Sequence, residues 1–159
     1  MQLLNTIRLV VMAAAIVFPI SFANSNQDKT NIQFSQKDLY CLTKNIYHEA
    51  RGEPYLGKIA VAQVTLNRVN HPTLWASTIC GVVYEQIRGV AQFSWTTDHT
   101  TKIMDHKAWY EAKQIAYGIL SGELIIKNFN YTHFHNLSIN FAQKLKNSSV
   151  IGNHVFYHN

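Results

Sequence analysis

Two amphipathic helical patterns meet at a short corner, Gly52-Glu53-Pro54, and this junction constrains the fold more than any other stretch. The first pattern starts at Ser35, a capping residue with an acidic residue three positions later. The second pattern has an apolar stripe that covers most of the helix circumference up to about Asn70. Gly52 favours the end of a helix, and Pro54 suits a first-turn position that needs no backbone donor. We therefore predict two helices joined at a rigid corner, with the second central to the core.

One carboxylate, Glu49, falls on the apolar face of the first helix. Leu39, Leu42 and Ile46 recur at three- and four-residue steps, and the next step reaches Glu49. Loss of water on that face disfavours the charged carboxylate and raises its pKa, as a general acid requires. The alternative is that Glu49 only pairs with Arg51 or caps a neighbouring element.

Several motifs, in a fixed order, resemble one family. They are Tyr47-His48-Glu49-Ala50-Arg51-Gly52-Glu53-Pro54, Gly57-x-x-Ala60-Val61-Ala62, Asn67-Arg68-Val69, Cys80-Gly81-Val82-Val83-Tyr84, Gln92-Phe93-Ser94-Trp95 and the closing Ile151-Gly152-x-His154-x-Phe156-Tyr157. Together they resemble the SleB-type cell wall hydrolases, the family of the spore cortex-lytic enzymes. One departure is at 139–142, where Ile-Asn-Phe-Ala replaces the family's usual Pro-x-Trp-Ala.

The resemblance implies an α+β fold: a compact, mainly helical, lysozyme-like domain with a small antiparallel sheet. It also implies cleavage of the glycan strand of peptidoglycan, with Glu49 as the catalytic glutamate. A lytic transglycosylase needs one glutamate, whereas a simple glycosidase needs two carboxylates about 5 to 10 Å apart. The candidates for a second carboxylate are Glu53, Glu85, Asp98 and Asp105. Because none has a setting as organised as that of Glu49, we favour the transglycosylase and keep simple hydrolysis as the alternative.

A wider set of polar residues is predicted to bind the sugar hydroxyl and acetamido groups of the substrate. The set comprises Tyr47, Arg51, Glu53, Gln92, Ser94, His133, His135 and His154. Phe93 and Trp95 alternate with two members of this set, and an alternative interpretation is that these aromatic side chains fill the core.

Eight histidines raise the alternative of a metal enzyme. His133 and His135 would project from one face of a predicted strand, and His154 lies on the next strand. An N-acetylmuramoyl-L-alanine amidase would use these histidines as zinc ligands and Glu49 as base. The sequence has no His-Glu-x-x-His pattern, so we predict no cofactor and histidines that bind sugar or satisfy local hydrogen bonds. A non-catalytic peptidoglycan-binding envelope protein is a further alternative, against which the presence of Glu49 argues.

The N-terminal segment has the pattern of an export signal. It combines Arg8, an apolar run of about 14 residues and a small-x-small end at Ser21-Phe22-Ala23, whereas a spanning helix needs about 20 apolar residues. We predict a signal peptide at 1–23, a flexible lead-in at 24–34 and one catalytic domain at 35–159. Export to the periplasm, the cell envelope or the outside follows, with a retained membrane anchor as the alternative. In an exported protein, the only two cysteines, Cys41 and Cys80, are predicted to form a disulfide.

The formal net charge of +5 bears on the partner. A basic protein suits an acidic polymer such as a bacterial envelope, and it would equally suit nucleic acid. The basic residues are scattered and form no stripe or run, which argues against nucleic acid. We therefore expect the partner to be peptidoglycan glycan strands, the protein to be a monomer, and no stable membrane span to remain after signal removal.

The remaining elements are predicted from periodicity and turn signals. In chain order they are a short helix at 77–84, an irregular loop at 92–95, a long helix at 105–120, a strand at 129–135, a short helix at 138–145 and a strand at 149–157.

Overall fold

The computed structural model describes residues 34–71, 73–98, 102–139 and 147–158. They form four α-helices, one 3₁₀ helix and two small antiparallel sheets, which confirms the predicted α+β class. The helices are α1 (Gln36–Ala50), α2 (Tyr55–Val69), α3 (Ile79–Val83), the 3₁₀ helix (Ser94–Thr97) and α4 (His106–Leu120). The strands are β1 (Gln86–Ile87), β2 (Val90–Ala91), β3 (His133–Asn136), β4 (Ser149–Ile151) and β5 (His154–Tyr157).

Three predictions fall wholly or mainly on other parts of the chain. The signal peptide at 1–23, nearly all of the lead-in at 24–34 and most of the helix at 138–145 lie outside the described residues. No helix within the described ranges is both long and apolar enough to cross a membrane.

Side-chain caps fix where the helices begin. The Ser35 hydroxyl accepts from the backbone N–H of Asp38 at 2.9 Å, and the Asp105 carboxylate accepts from that of Ala108 at 2.9 Å. Thr78 caps α3 in the same way, so this helix is shorter than the predicted 77–84. Caps of this kind satisfy backbone donors that have no partner inside a helix.

The core forms where α1, α2 and α4 pack together, with α2 in contact with α1, α3 and α4. Leu42 and Ile46 of α1 are fully buried against this core, as is Ile115 of α4. Phe93 and Trp95 are 2% and 8% exposed, so the core-filling interpretation of these aromatics is confirmed. Their burial fixes the backbone on either side, which positions the polar residues between them.

The disulfide predicted from the two cysteines is present. It joins Cys41 of α1 to Cys80 of α3 across 39 residues of chain, with the two Cα atoms 5.3 Å apart. The helix that carries Glu49 is therefore covalently tied to the helix that leads into the β1–β2 hairpin.

The structure contains two β-hairpins that the sequence patterns did not predict. The single strand expected at 149–157 is two strands, β4 and β5, joined by a turn at Gly152 and Asn153 in a sheet of order β3-β5-β4. The β1–β2 hairpin turns at Arg88 and Gly89, which both have positive φ. Strands of two to four residues are too short to show a clear alternating pattern, which explains why neither hairpin was predicted.

Glu53 holds the β4–β5 turn against the corner between α1 and α2. Its carboxylate accepts from the backbone N–H of Asn153 at 2.8 Å and from the Asn153 side-chain amide at 3.3 Å. Gly152 has a φ of +62°, and a Cβ there would overlap Glu53 Oε2 and lie 2.8 Å from Pro54 Cδ. Position 152 requires glycine for two reasons: the backbone has a positive φ, and the contact with Glu53 leaves no room for a side chain.

We expect Gly152→Ala to lower the free energy of unfolding by about 2 to 4 kcal/mol, because strained backbone and steric overlap both contribute. Gly122→Ala is the matched control, since Gly122 has a φ of +76° with nothing within 4 Å of an added Cβ. The control should lose only about 1 kcal/mol, the backbone part alone. Chemical denaturation of both variants measures the difference, and equal losses would show that the Glu53 contact does not constrain this turn.

Candidate active site

Glu49 lies in a cleft of about 420 Å³ between the end of α1, the segment that follows β2, and the sheet. The cleft brings together five of the sequence-predicted site residues, namely Glu49, Gln92, Ser94, His135 and His154. It also contains residues that the sequence did not single out as functional, among them Arg68, Phe134 and Asn136.

The Glu49 carboxyl group has the environment of an acid. Among the described residues, none donates a hydrogen bond to it, and burial raises its pKa from 4.5 to about 7, although the positive charge of Arg68 opposes the rise. Arg51 is not its partner, because the Arg51 guanidinium lies over the ring of Tyr47 at 5.3 Å from the ring centroid. Desolvation without a hydrogen bond favours the protonated carboxylic acid near neutral pH.

Arg68 is the charged group that faces Glu49 from α2. Only 5% of its surface is exposed, and its Nε donates to the Thr132 carbonyl at 2.7 Å. Its guanidinium lies over the rings of Trp75 and Phe93, at 4.4 and 5.1 Å from their centroids. Its Nη1 is buried without a partner, and burial lowers the pKa of the group to about 10. One sequence signal could have identified Arg68 as a site residue, namely its positive charge on a helix predicted to be buried on most sides.

A buried amide positions the polar residues on the far side of the cleft. Asn45 of α1 accepts from the Trp95 indole N–H at 3.1 Å and donates to the Thr65 hydroxyl of α2 at 3.2 Å. This chain of hydrogen bonds ties the 3₁₀ helix to both long helices. Gln92 and Ser94 are thereby held beside the last turn of α1.

The strand register places the histidines proposed as zinc ligands on two faces of the sheet, although His135 and His154 both line the cleft. His133 and His135 pair with Tyr157 and Val155, whereas His154 pairs with Asn136, and so belongs to the opposite face of the sheet. Within the described part of the chain, no group of three His, Cys, Asp or Glu side chains is placed to hold a metal ion. This placement does not fit an amidase site built from the three histidines.

Burial explains why these three imidazoles favour the uncharged form. It lowers the pKa of His135 and of His154, and it lowers that of His133 to about 4. The Nδ1 atom of His154 is buried without a hydrogen-bond partner. His154 therefore lines the cleft as a neutral imidazole whose Nδ1 atom is enclosed by the protein.

Four of the predicted binding residues lie outside the cleft. The Tyr47 hydroxyl accepts from the backbone N–H groups of Met104 and Asp105, both at 3.1 Å, and so anchors the start of α4. Arg51 packs on Tyr47, Glu53 binds the β4–β5 turn, and His133 lines an adjoining cavity. The first three were grouped with Glu49 because they are close to it in sequence. Tyr47 faces another side of α1, and Arg51 and Glu53 lie in the corner that follows this helix.

The four carboxylates considered as partners of Glu49 lie outside the lining of its cleft. Glu53 binds Asn153, Asp105 caps α4, and Asp98 is exposed at the end of the 3₁₀ helix. Glu85 lies close enough to Arg68 to raise its pKa, against the larger effect of burial. Of the described carboxylates, only Glu49 lines the cleft.

Comparison with known proteins identifies similar sequences. A family model described as Cell Wall Hydrolase matches residues 52–157, a range that begins just after Glu49. The spore cortex-lytic enzyme of Halalkalibacterium halodurans is 35% identical over 91 residues, which cover 50% of this chain and 27% of that protein. The spore cortex-lytic enzyme of Bacillus subtilis is 46% identical over 54 residues, covering 34% and 17%. The chain therefore matches less than a third of the length of these relatives.

Two solved structures are similar over most of their length. The catalytic domain of the Bacillus cereus SleB protein has a TM-score of 0.61 and 28% identity, covering 78% of this chain and 91% of that one. The catalytic domain of a germination-specific lytic transglycosylase, SleB from Bacillus anthracis, has a TM-score of 0.58 and 27% identity, covering 77% and 95%.

Proposed function

This chain belongs to the cell wall hydrolase family, and we propose that it cleaves the glycan strand of peptidoglycan as a lytic transglycosylase. The observation that carries the proposal is Glu49, whose partly buried carboxyl group has a pKa of about 7 and lies in an open cleft. One glutamate suffices for a transglycosylase, whereas a glycosidase of ordinary type uses two carboxylates across the scissile bond. The similar Bacillus anthracis domain is named as a lytic transglycosylase, which supports the same choice.

The proposed reaction uses Glu49 twice. Protonated Glu49 donates its proton to the glycosidic oxygen, and the bond from that oxygen to C1 of the cleaved sugar breaks. The resulting carboxylate then takes the proton from the 6-hydroxyl of the same sugar as O6 bonds to C1. The products are a new 4-hydroxyl end and a 1,6-anhydro end. Glu49 is protonated again, and no water is consumed.

The neighbouring residues support these two roles. The positive charge of Arg68 favours the carboxylate form of Glu49 and so keeps its pKa near 7, where the group can both give and take a proton. Gln92, Ser94 and His154 face the same cleft and have the polar atoms needed to bind sugar hydroxyl and acetamido groups.

Identification of the broken bond tests this function. Purified peptidoglycan is digested with the full chain, and the soluble products are separated and weighed by mass spectrometry. We expect disaccharide fragments that still carry their stem peptides. Release of free stem peptides from intact glycan strands would overturn the proposal in favour of an amidase.

Activity should fall as pH rises through about 7. The acid step needs protonated Glu49, and a raised pKa means that this form predominates below about 7 and is lost above it. Initial rates of wall clearing between pH 5 and 9, at constant ionic strength, measure the profile. A rate that rises steadily across this range would contradict Glu49 as the proton donor.

Activity should also survive exhaustive chelation, because the proposed chemistry uses only side chains. A zinc amidase would lose its metal to the chelator, and it would also lose it at low pH as its histidine ligands took up protons. The measurement is wall clearing before and after treatment with EDTA. Activity lost in EDTA and restored by zinc would contradict the proposal.

We also propose that the protein is exported and acts in the envelope or outside the cell, with 1–23 as the signal peptide. The disulfide between Cys41 and Cys80 supports this location, since structural disulfides persist mainly in oxidising compartments. Mass spectrometry of the mature protein checks the cleavage site, and a retained Met1 would contradict it.

A further inference from the structure

A separate cavity of about 380 Å³ lies beside the C-terminal end of α1. Its wall comes from this end of α1, from Trp95 of the 3₁₀ helix and from residues 102–105, which lead into α4. It shares no lining residue with the Glu49 cleft, yet His48 in its wall directly precedes Glu49 in the chain. We call this cavity the α1 pocket, and it is a close neighbour of the cleft.

Two cations of the α1 pocket have no carboxylate partner in the part of the chain that the structure describes. Arg51 and Lys102 both line the pocket and are exposed, and neither forms an ion pair with a described residue. A third cation lies nearby, because Lys44 Nζ is 5.0 Å from the ring centroid of Trp95. The negative end of the α1 dipole accounts for a basic residue at position 51, but not for Lys102, which lies on another segment. The positive charge is therefore a property of the pocket and not only of the helix.

The α1 pocket also contains one anion and a flat ring wall. Asp105 lines the pocket, and its Oδ1 atom accepts from the backbone N–H of Ala108 at 2.9 Å, whereas its Oδ2 atom bonds to no described residue. The imidazole of His48 stacks on the indole of Trp95, with ring centroids 4.6 Å apart and planes at 22°. Burial lowers the pKa of His48, so this imidazole adds little positive charge. The lining thus combines two full positive charges with one negative charge.

This mixed set of charges distinguishes among the components of a cell wall. The sugars of a glycan strand are uncharged and offer no anion to Arg51 and Lys102. A phosphodiester polymer would bring its negative charge up to Asp105. A stem peptide has free carboxylates and, in its diamino acid, an ammonium group, so it complements both signs of charge in the pocket.

The distance between the cleft and the α1 pocket suits a peptide branch. Successive residues of a helix point about 100° apart on a cylinder about 10 to 12 Å wide, so the path around α1 from Glu49 to His48 is about 10 Å. An extended tripeptide spans about 10 Å as well. A strand whose cleaved bond lies at Glu49 can therefore place the peptide of a nearby sugar in the α1 pocket.

We propose that the α1 pocket binds the stem peptide of peptidoglycan, with Arg51 and Lys102 at its carboxylates and Asp105 at the ammonium group of its diamino acid. The inference rests on the proposed function, and it adds a specificity to that function. The protein recognises glycan strands that still carry charged peptides.

The test measures binding without turnover. The full chain carrying Glu49→Gln is titrated with the stem tripeptide alanyl-γ-glutamyl-diaminopimelate, and the indole N–H signals of the tryptophans are followed by NMR. We expect the Trp95 signal to shift, because this ring lines the pocket. The same tripeptide with its carboxylates converted to amides should bind at least fivefold more weakly.

Removal of the two cations should weaken binding of the tripeptide in the same Glu49→Gln background. Arg51 and Lys102 are exposed, so Arg51→Gln combined with Lys102→Gln should leave the fold intact, which circular dichroism checks. We expect at least a fivefold loss of affinity. Lys113→Gln combined with Lys127→Gln is the matched control, because it removes two positive charges from exposed lysines outside the α1 pocket, and its affinity should stay within twofold.

The outcomes separate this pocket from the proposed function. A Trp95 signal that does not shift, equal affinity for the amidated peptide, equal affinities of the two double variants, or tighter binding of poly(glycerol phosphate) than of the tripeptide would each overturn the peptide site. Each of these results holds whether or not the parent protein cleaves peptidoglycan. Failure of the parent to cleave, with the expected binding pattern intact, would overturn the cleavage chemistry alone and leave the peptide site supported.

Discussion

Replacement of Glu49 by Gln is expected to lower the rate of wall lysis by about 10²- to 10⁴-fold, the range that general acid catalysis contributes. The amide has nearly the same shape as the carboxyl group, so the cleft should keep its form. It cannot donate an acidic proton to the glycosidic oxygen, and it cannot take one from the 6-hydroxyl. Clearing of a purified wall suspension measures the loss.

Glu123→Gln is the matched control for this substitution. Glu123 is an exposed carboxylate just after α4, and it lies outside the cleft. The control protein should clear the wall at the parental rate. A Glu49→Gln protein that matched this control would show that Glu49 is not the proton donor.

The same substitution should stabilise the protein at alkaline pH. Because the pKa of Glu49 is raised from 4.5 to about 7 by burial, the folded state binds the proton more tightly than the unfolded state does. Ionisation of Glu49 therefore reduces the stability of the parent as pH rises from about 4.5 to 7. At pH 8 the free energy of unfolding of the Glu49→Gln protein should be about 1 to 3 kcal/mol higher than that of the parent. Equal stabilities at pH 8 would contradict the burial of this carboxyl group.

Removal of the disulfide is expected to destabilise the folded protein strongly. The double substitution Cys41→Ser and Cys80→Ser removes a cross-link between residues 39 positions apart in the sequence. The unfolded chain then gains conformational freedom, which should lower the free energy of unfolding by about 2 to 4 kcal/mol. Chemical denaturation measures the loss. The parent protein in reducing agent serves as the control, and it should lose a similar amount. A double variant as stable as the oxidised parent would contradict a structural role for this bond.

The long helices were predictable because their signals are local. Ser35 and Asp105 cap α1 and α4 through contacts only three residues long, and the apolar period runs through each helix. The desolvation of Glu49 followed from the same period, one step beyond Ile46. Burial within a helix is largely a property of the sequence around it.

Tertiary contacts decided the rest of the site. Glu53 follows Glu49 closely in sequence, but it turns to meet Asn153, a hundred residues away, and no local pattern indicates that pairing. Arg68 was part of a recognised motif, yet its place beside Glu49 depends on the crossing of α1 and α2. His135 and His154 reach the cleft through the pairing of β3 with β5, and the sequence resolved β5 only as part of one longer strand.

The source of the oxygen in the new glycan ends distinguishes transglycosylation by Glu49 from hydrolysis. Peptidoglycan is digested in water enriched in ¹⁸O, with the parent protein and with the Glu49→Gln protein, and the fragments are analysed by mass spectrometry. We expect 1,6-anhydro ends without ¹⁸O from the parent, because the sugar's own O6 closes the ring, and almost no fragments from the variant. Reducing ends that carry ¹⁸O, or the same anhydro fragments released by the variant at the parental rate, would contradict a reaction carried by Glu49 alone.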